Sequence, residues 1–406
     1  MIDSTDDNAA HNHRAALRIA LAFASAGLQT PAPGIVCNLG LGVGAGGAEV
    51  LSLKLAQRAS PLDRSMAAFC ARGDLPDFDI IVLHQPWSCL SSGVQAVVVD
   101  FVRRKLRVGG VFTVSYHCQP GWAPLAPLRS LLAQTASRLG TSGANAPDKT
   151  ANDADDVDTD IDTDTDTDTD TDMIDQVLDF SDSLLDTSPV YFSTYPHVAE
   201  RLRSLRGEPK PALARDYFGH WQPLSFANMA DLLGEAKLSF ACPVEYLDHN
   251  ADRHLTGQQQ ALLAELTDPV FAESVRDLMV NRSFRSDYWV KGARPLSPLQ
   301  TIEAKQRPSV VLATQQEPFH SATAAPPRGA IHGATHAAIG EVGQQPAQQA
   351  MHTPVQASVL TLMADQQPRT IGELAATLQG AQFTLQQVFD AVLVLVDTGQ
   401  LALDSA

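Results

Sequence analysis

The chain has 406 residues, and 44% of them are hydrophobic, so it is long enough for two or three domains with buried cores. Its formal net charge is −17. However, segment 153–172 holds eleven aspartates and neither Lys nor Arg, which leaves −6 for all the other residues. The composition therefore provides no basic stripe for a phosphate backbone, and it argues against nucleic acid as a partner.

Export and membrane insertion are also disfavoured. The chain begins Met-Ile-Asp-Ser-Thr-Asp-Asp, which is acidic where a signal peptide is basic and then apolar. No apolar run approaches the roughly 18–20 residues of a membrane span. The cysteines are scattered and form no C-x-x-C pair: Cys37, Cys70, Cys89, Cys118 and Cys242. We therefore expect a cytoplasmic protein with reduced, mostly buried thiols and no membrane partner.

The first third of the chain alternates between predicted strands and helices. The predicted helices are rich in helix-forming residues or are amphipathic, and they cover 14–27, 49–58 and 97–106. The predicted strands are short, apolar and β-branched, and they cover 35–41, 79–84 and 111–116. This alternation indicates a parallel sheet in an α/β fold.

Two low-complexity segments, 141–172 and 313–352, interrupt the pattern. The first is dominated by alternating Asp and Thr, which offer little apolar surface to bury and whose carboxylates repel one another, so we expect a disordered linker. A calcium site there is disfavoured, because calcium loops need glycine turns that this repeat lacks. The second segment carries irregularly spaced histidines, for which no metal site is expected: His320, His332, His336 and His352.

Helical patterning resumes over 173–206 and continues, mixed with other elements, over 217–294. Within it, we expect a helix over 226–234 followed by a strand over 237–241 that rejoins the first sheet. Residues 355–403 predict three helices, with a Gln-Gly-Ala-Gln-Phe-Thr turn before the third. Their order is typical of a small winged-helix-like domain.

A glycine-rich turn follows the first predicted strand. Gly40, Gly42 and Gly44 form a G-x-G-x-G pattern, which lets the backbone bend sharply and approach a ligand closely. A following helix would add free N–H groups at its N-terminus. No Lys-Ser/Thr pair follows, so this is not a Walker-type phosphate loop. The turn suits an adenosine cofactor, and a flexible turn without a ligand is the alternative.

Polar and aromatic residues also follow the strand at 79–84. His84 and Trp87 come where the carboxyl ends of parallel strands bind ligands in α/β proteins. Taken singly, each residue is explained as well by packing in the core.

Longer motifs carry a resemblance to a known family. The stretches Asp74–Ser88, Val99–Val111 and Ser115–Ala123 resemble class I S-adenosylmethionine-dependent methyltransferases that carry a methyltransferase regulatory domain. That family includes rickettsial protein-lysine methyltransferases. The most specific motifs are Ser-Tyr-x-x-x-Pro-Gly-Trp, from Ser115, and Phe-Arg-x-Asp-Tyr-x-x-Lys-Gly-Ala-Arg, from Phe284. The resemblance covers residues 14–140 and 173–312, with a weaker tail over 355–403.

The resemblance implies a fold class and a domain order. We expect an α/β fold, with a truncated Rossmann-like (class I methyltransferase) sheet, then a mainly helical regulatory domain, then a small winged-helix-like C-terminal domain. The expected domains are 14–140, 173–312 and 353–406, joined by the linkers 141–172 and 313–352.

The resemblance also implies a site. S-adenosyl-L-methionine would be bound by the glycine loop and its neighbours, Asn38, Gly40, Gly42, Gly44, His84 and Trp87. Catalytic roles are implied for Tyr116, His117 and His84, and no metal is expected. Ser88, Ser115, Pro120, Gly121 and Trp122 match the family segments that would line the place where cofactor and methyl acceptor meet. Methyl transfer depends mainly on positioning the acceptor in line with the methyl group.

The sequence departs from its family at several positions. Asn38 stands where relatives carry Glu, Gln85 where they carry Gly, and His117 where they carry Asn. Only about 20 residues, 59–78, separate the helix expected after the glycine loop from the next strand, whereas a βαβ unit takes about 30 residues. The second and third strands, and the acid that holds the cofactor ribose, are therefore expected to be missing.

Two functions stay open on this evidence. One is a methyltransferase acting on protein side chains, with weakened or lost cofactor binding. The other is a catalytically inactive relative that serves as a protein-interaction module. A nicotinamide oxidoreductase is disfavoured, because the ribose acid is missing and the regulatory-domain motifs are present. Both open readings imply a protein substrate or partner, and neither fixes the oligomeric state.

Overall fold

The computed structural model describes residues 4–31, 34–39, 51–52, 66–84, 86–143, 165–213, 217, 221–313 and 352–404. The chain divides into two compact units. The first unit comprises Met1–Pro120, Gln222–Pro327 and Gln345–Ala406, and the second comprises Gly121–Trp221 and Arg328–Gln344. The helices are α1 Ser4–Ala26, α2 Ser92–Lys105, α3 Gln119–Trp122, α4 Ala126–Gly143, α5 Thr165–Asp186, α6 Val190–Thr194, α7 Pro196–Ser204, α8 Lys210–Leu213, α9 Phe226–Gly234, α10 Gly257–Ala264, α11 Pro269–Met279, α12 Pro298–Gln306, α13 Pro354–Leu362, α14 Ile371–Leu378 and α15 Leu385–Asp397.

A six-stranded mixed sheet forms the centre of the first unit. Its strands are β1 Val36–Leu39, β2 Leu51–Ser52, β3 Phe78–Leu83, β4 Leu106–His117, β5 Leu238–Pro243 and β6 Phe284–Lys291. They lie in the order β2-β1-β3-β4-β6-β5. The first four are parallel, and β6 runs antiparallel between β4 and β5. The predicted α/β class is confirmed.

Alternation along the strands gives the sheet two buried faces. Cys37, Ile81, Phe112 and Trp289 belong to one hydrophobic core, to which α2 and α9 contribute. We call this side the α9 face. Their neighbours in sequence belong to the other core, to which α1 and the C-terminal helices contribute: Val36, Ile80, Val82, Val111, Tyr288 and Val290. We call this side the α1 face.

Local sequence signals explain where two helices on the α9 face begin and end. Ser91 caps α2, because its side chain accepts a hydrogen bond from the backbone N–H of Val94. The last turn of α2 is basic, which complements the negative end of the helix dipole. Ser225 caps α9 in the same way, through the N–H of Asn228. The predicted helix at 226–234 is therefore confirmed to the residue.

The strand predicted at 237–241 does join the first sheet, as β5, but not next to β4. The strand β6 lies between them, with Val290 paired to both Val111 and Ser239. The sequence did not predict β6, because its centre carries Arg285, Ser286 and Asp287, which interrupt the apolar pattern of a buried strand.

The helix predicted over 49–58 is corrected at its start. Leu51 and Ser52 form a strand paired to Cys37 and Asn38, not part of a helix over 49–58, so the sheet extends one strand beyond β1. Residues 53–65 lie outside the described part of the chain.

The predicted linker 141–172 is also shorter than expected. Its first residues, 141–143, end α4, and residues 165–172 begin α5. The amphipathic segment from Met173 provides the buried residues of this helix. Residues 144–164, and nearly all of the second linker, 314–351, lie outside the described residues.

The three helices predicted at the C-terminus are confirmed as α13, α14 and α15. A small antiparallel sheet accompanies them, with strands β7 Ser309–Leu312, β8 Arg369–Thr370 and β9 Leu401–Asp404. Its strand order is β8-β7-β9. The winged-helix likeness stays a prediction. The compact units group residues differently from the predicted domains, because 222–312 lies in one unit with the sheet and with the C-terminal helices.

A buried ion pair joins the two ends of the first unit. Arg18 of α1 and Asp397 of α15 lie 3.1 Å apart, and both side chains are almost fully buried. Asp397 also accepts a hydrogen bond from the N–H of Leu247. Tyr246 stacks under the Arg18 guanidinium and donates its hydroxyl proton to the Arg18 carbonyl. The last helix is thus fixed to the first.

The second unit is helical and has its own core. Trp122 and Trp221 pack edge to face with ring centroids 4.9 Å apart, and the Arg129 guanidinium lies over the Trp221 ring. Arg201 is buried and donates to the hydroxyl of Tyr217. Among the described helices of both units, none is long and apolar enough to cross a membrane.

Candidate functional site

A hydrogen bond links the carboxyl ends of the neighbouring strands β1 and β3. Asn38 is the third residue of β1, and His84 directly follows β3, whose Leu83 pairs with Leu39. Oδ1 of Asn38 lies 2.8 Å from Nε2 of His84. Both side chains are buried. With the amide oxygen facing the ring, Oδ1 of Asn38 accepts and Nε2 of His84 donates.

A second pair joins the segments that follow β3 and end β4. Oγ of Ser88 lies 2.6 Å from Nδ1 of His117, and it accepts the backbone N–H of His117 at 3.1 Å. The His117 ring also packs against Phe284, with centroids 5.4 Å apart and planes at 73°. Ser88 is fully buried, and His117 is half-buried at the end of its strand.

Three buried polar groups on β4 and in the segment after β3 have no hydrogen-bond partner among the described residues. Thr113 and Ser115 share the α1 face of β4, two residues apart, and Thr113 pairs in register with Val82. Neither hydroxyl has a hydrogen-bond partner among the described residues, and the same holds for Nε1 of Trp87. Because buried polar groups are normally paired, these atoms are the ones available to a ligand or water.

Tyr116 points the other way. On β4 it alternates with Ser115 and His117, so its side chain enters the α9 face. Its hydroxyl donates to Oδ2 of Asp287 at 2.9 Å, and the side chain is fully buried. The structure therefore brings Asn38 together with His84, and Ser88 together with His117, but it separates Tyr116 from them.

The partner of Tyr116 belongs to a buried ion network. Arg285 donates to Asp287, Asp277 and Glu273, at distances from 2.7 to 2.8 Å. Its guanidinium also lies 4.3 Å from the centre of the Phe226 ring. The network thus ties β6 to α11, and through Phe226 to α9.

Burial dominates the electrostatics of this network. It raises the pKa of the Tyr116 hydroxyl well above its usual value, and the Asp287 carboxylate raises it further. It also raises the pKa of Asp277 to about 6, although Arg285 and Arg282 oppose that rise. For Arg285, burial works against ionisation, but the surrounding carboxylates outweigh it and the pKa is raised. Tyr116 therefore stays protonated near neutral pH, and its hydroxyl donates a hydrogen bond to Asp287.

Other predicted site residues cannot be placed with these. Gly40, Gly42, Gly44 and Gln85 lie outside the described residues. Trp122 belongs to the second unit, where it packs on Trp221. The described residues contain no cluster of His, Cys, Asp and Glu that could hold a metal ion.

The cysteines are structural in this arrangement. The five cysteines form no disulfide bond, and four of them are buried: Cys37, Cys70, Cys118 and Cys242. Burial raises the pKa of the Cys70 thiol to about 12 and that of Cys118 well above its usual value. These thiols are therefore poor nucleophiles at neutral pH, as the sequence predicted for buried cysteines.

Comparisons with known proteins agree with this fold. A family model described as a predicted methyltransferase regulatory domain matches residues 210–291. Among solved structures, PKMT2 from Rickettsia typhi in complex with AdoHcy is similar with a TM-score of 0.57 and 14% identity, over 97% of this chain and 76% of that chain. A second structure of PKMT2 gives a TM-score of 0.54 at 14% identity, over 96% and 76% of the two chains. The chain therefore shares the fold of PKMT2, and residues 210–291 match the regulatory-domain model.

The chain is also similar to a longer protein. This chain is 27% identical to the uncharacterized protein sll1526 of Synechocystis sp. (strain ATCC 27184 / PCC 6803 / Kazusa) over 327 residues. The match covers 80% of this chain and 55% of the relative, so the chain spans about half the length of that protein.

The segment that matches the regulatory-domain model contributes to the central sheet. Residues 210–291 include α9, α11, β5 and β6. The two strands complete the six-stranded sheet, so the matched segment and the sheet share one hydrophobic core.

Proposed function

We propose that the chain is an S-adenosyl-L-methionine-dependent methyltransferase that acts on protein side chains in the cytoplasm, with a cofactor site weakened relative to its family. The observation that carries the proposal is the buried Asn38–His84 hydrogen bond. It lies at the carboxyl ends of adjacent parallel strands, where α/β sheets bind their ligands. The similarity to PKMT2 in complex with AdoHcy supports the same cofactor class.

The residues present suit this cofactor as hydrogen-bonding groups, not as charges. Asn38 and His84 would hold it together with the glycine loop, and the unpaired hydroxyls of Thr113 and Ser115 offer further contacts. Bound S-adenosyl-L-methionine supplies an electrophilic methyl group that a nucleophilic side chain accepts directly. The role of the protein is then to orient the acceptor and exclude water, for which neutral groups are sufficient.

Weak cofactor binding follows from the same residues. Asn38 stands where relatives carry Glu, and its amide oxygen is already bonded to His84. A charge-assisted hydrogen bond to the cofactor is worth roughly 1.5–3 kcal/mol, so its loss costs about ten- to a hundred-fold in affinity. We therefore expect a dissociation constant weaker than the low micromolar range.

Calorimetry on the full chain tests the proposal. S-adenosyl-L-methionine and S-adenosylhomocysteine should both bind, and Asn38→Leu should abolish that binding by removing the partner of His84. Gly42→Leu should do the same, because the G-x-G-x-G sequence pattern is typical of a loop that approaches its ligand too closely for a side chain. The matched control for Asn38→Leu is Asn228→Leu, on the exposed surface of α9. The matched control for Gly42→Leu is Gly93→Leu, where an added Cβ meets no atom within 4 Å.

A second function is favoured by a different observation. Leu262 of α10 and Phe271 and Leu278 of α11 are large apolar side chains that are largely exposed. Phe271 and Leu278 are seven residues apart and so share one side of their helix. Such surfaces mark protein contacts, which suits a non-catalytic interaction module. If S-adenosyl-L-methionine does not bind even at millimolar concentration, the interaction module is supported and the methyltransferase function is excluded.

A further inference from the structure

We infer that Ser88 is a positioning residue that fixes the tautomer of His117, so that His117 acts through an N–H donor at Nε2 and not as a base. The inference deepens the proposed function and rests on it for the identity of the ligand. The tautomer is set by the protons and lone pairs that Ser88 and His117 share.

The Ser88 hydroxyl has one proton and two acceptor lone pairs. One lone pair accepts the backbone N–H of His117, at 3.1 Å. The contact of 2.6 Å with Nδ1 of the same residue can then be made in two ways. Either the hydroxyl donates to Nδ1, or a protonated Nδ1 donates to the second lone pair.

The second arrangement leaves the hydroxyl proton of Ser88 without an acceptor. Ser88 is fully buried, and Nδ1 of His117 is the one acceptor that its hydroxyl reaches among the described residues. An unsatisfied buried donor is penalised, whereas the first arrangement satisfies both the Ser88 hydroxyl and Nδ1 of His117. Nδ1 is therefore the acceptor, and the neutral ring carries its proton on Nε2.

The rest of the ring environment keeps this geometry in place. The edge-to-face contact with Phe284 restrains rotation of the His117 ring. The hydrogen bond from the backbone N–H of His117 to Ser88 Oγ fixes the end of β4. The consequence concerns the departure from the family at this position. An asparagine amide donates N–H, and His117 in this tautomer also donates N–H, so the replacement keeps a donor and adds no general base.

The tautomer can be measured without any activity. Nitrogen NMR of the full chain, labelled in histidine and assigned with His117→Asn, should show Nδ1 unprotonated and Nε2 protonated. Ser88→Ala should reduce the ratio of the two tautomers by about fivefold, the equivalent of one ordinary hydrogen bond. Ser183→Ala, at an exposed position of α5, should leave the His117 signals unchanged.

A double-mutant cycle links the tautomer to binding. Ser88→Ala should weaken S-adenosylhomocysteine binding or methyl transfer several-fold in the wild-type background, and should have no further effect in the His117→Asn background. Circular dichroism and thermal midpoints of each variant show whether the fold persists. A protonated Nδ1 in the wild type, or an unchanged tautomer ratio in a folded Ser88→Ala variant, overturns the inference. If the tautomer behaves as stated but no ligand binds, the proposed function fails and the positioning role of Ser88 stands.

Discussion

Replacing Tyr116 with phenylalanine separates two roles for this residue. The sequence motif implies a catalytic tyrosine, whereas the structure commits its hydroxyl to Asp287 at 2.9 Å on the α9 face. Tyr116→Phe removes one hydrogen bond to a buried carboxylate and leaves no cavity. Such a bond is worth about 1.5–3 kcal/mol, so the unfolding equilibrium constant should change by a factor of roughly ten to a hundred. Asp287 keeps its bond to Arg285, which limits the loss.

The assay is urea unfolding of the full chain, followed by tryptophan fluorescence and by circular dichroism so that non-coincident transitions of the two units are detected. Calorimetry with S-adenosylhomocysteine is run on the same samples. The variant should lose stability while its affinity for this ligand changes by no more than about twofold, because the side chain faces away from Asn38 and His84. Tyr195→Phe, at a partly exposed position, serves as the control.

The opposite pattern would refute this reasoning. If Tyr116→Phe unfolds at the wild-type urea concentration but loses ligand binding or methyl transfer, the hydroxyl acts on the ligand as the motif implies. Asp287→Asn sharpens the test, since removal of a carboxylate beside Arg285 leaves a buried cation short of a partner and should cost about 3–5 kcal/mol.

Three further predictions follow from buried contacts. The folded-state pKa of Asp277, about 6, lies above its unfolded value of about 3.9. The contribution of Asp277 to stability is therefore present below pH 4 and is lost as the pH rises through 6. In pH-dependent urea unfolding, the wild type should lose up to about 3 kcal/mol of stability over that range relative to Asp277→Asn. Gly34→Ala should destabilise the fold by about 1–3 kcal/mol in the same assay, because an added Cβ would collide with the Asp79 carboxylate that holds the start of β1. Asp397→Ala should cost about 3–5 kcal/mol and lower the thermal midpoint, because it leaves Arg18 buried without its carboxylate.

Matched controls exist for each of these changes. Asp231 is exposed on α9, so Asp231→Asn and Asp231→Ala should each change stability by less than about 0.5 kcal/mol. Gly93→Ala adds a Cβ that meets no atom within 4 Å, on an exposed turn of α2. Equal losses in a variant and in its control would mean that the buried contact named here is not the cause.

The sequence predicted the parallel part of the sheet because β3 and β4 are continuous apolar, β-branched runs. It missed β6 because polar residues at its centre look like a loop until their partners are known. Arg285 and Asp287 are tolerated there because they satisfy one another and reach Tyr116 and Asp277, which lie far away in sequence. No local pattern contains that information.

The geometry around the candidate site residues could be predicted only in part, for a similar reason. Side chains alternate along a strand, so Tyr116 and His117 point to opposite faces, and this rule by itself divides the motif between the two sides of the sheet. The bond between Asn38 and His84 could not be predicted in that way, because it depends on the register that pairs Leu39 with Leu83. Likewise, Ser88 reaches His117 only because the short helical turn at 87–89 returns the chain toward the end of β4.

The position of the regulatory segment affects how its name should be understood. Residues 210–291 contribute β5 and β6 to the sheet, and β6 carries the carboxylate that accepts the Tyr116 proton. A chain lacking these residues would lose two of six strands and would expose the edge of β4 that β6 now covers. Loss of activity in such a deletion would therefore report the collapse of the sheet. A regulatory effect has to be sought with substitutions that keep β6 intact, such as changes to the exposed Phe271 and Leu278 on α11, where a partner could bind without breaking the core.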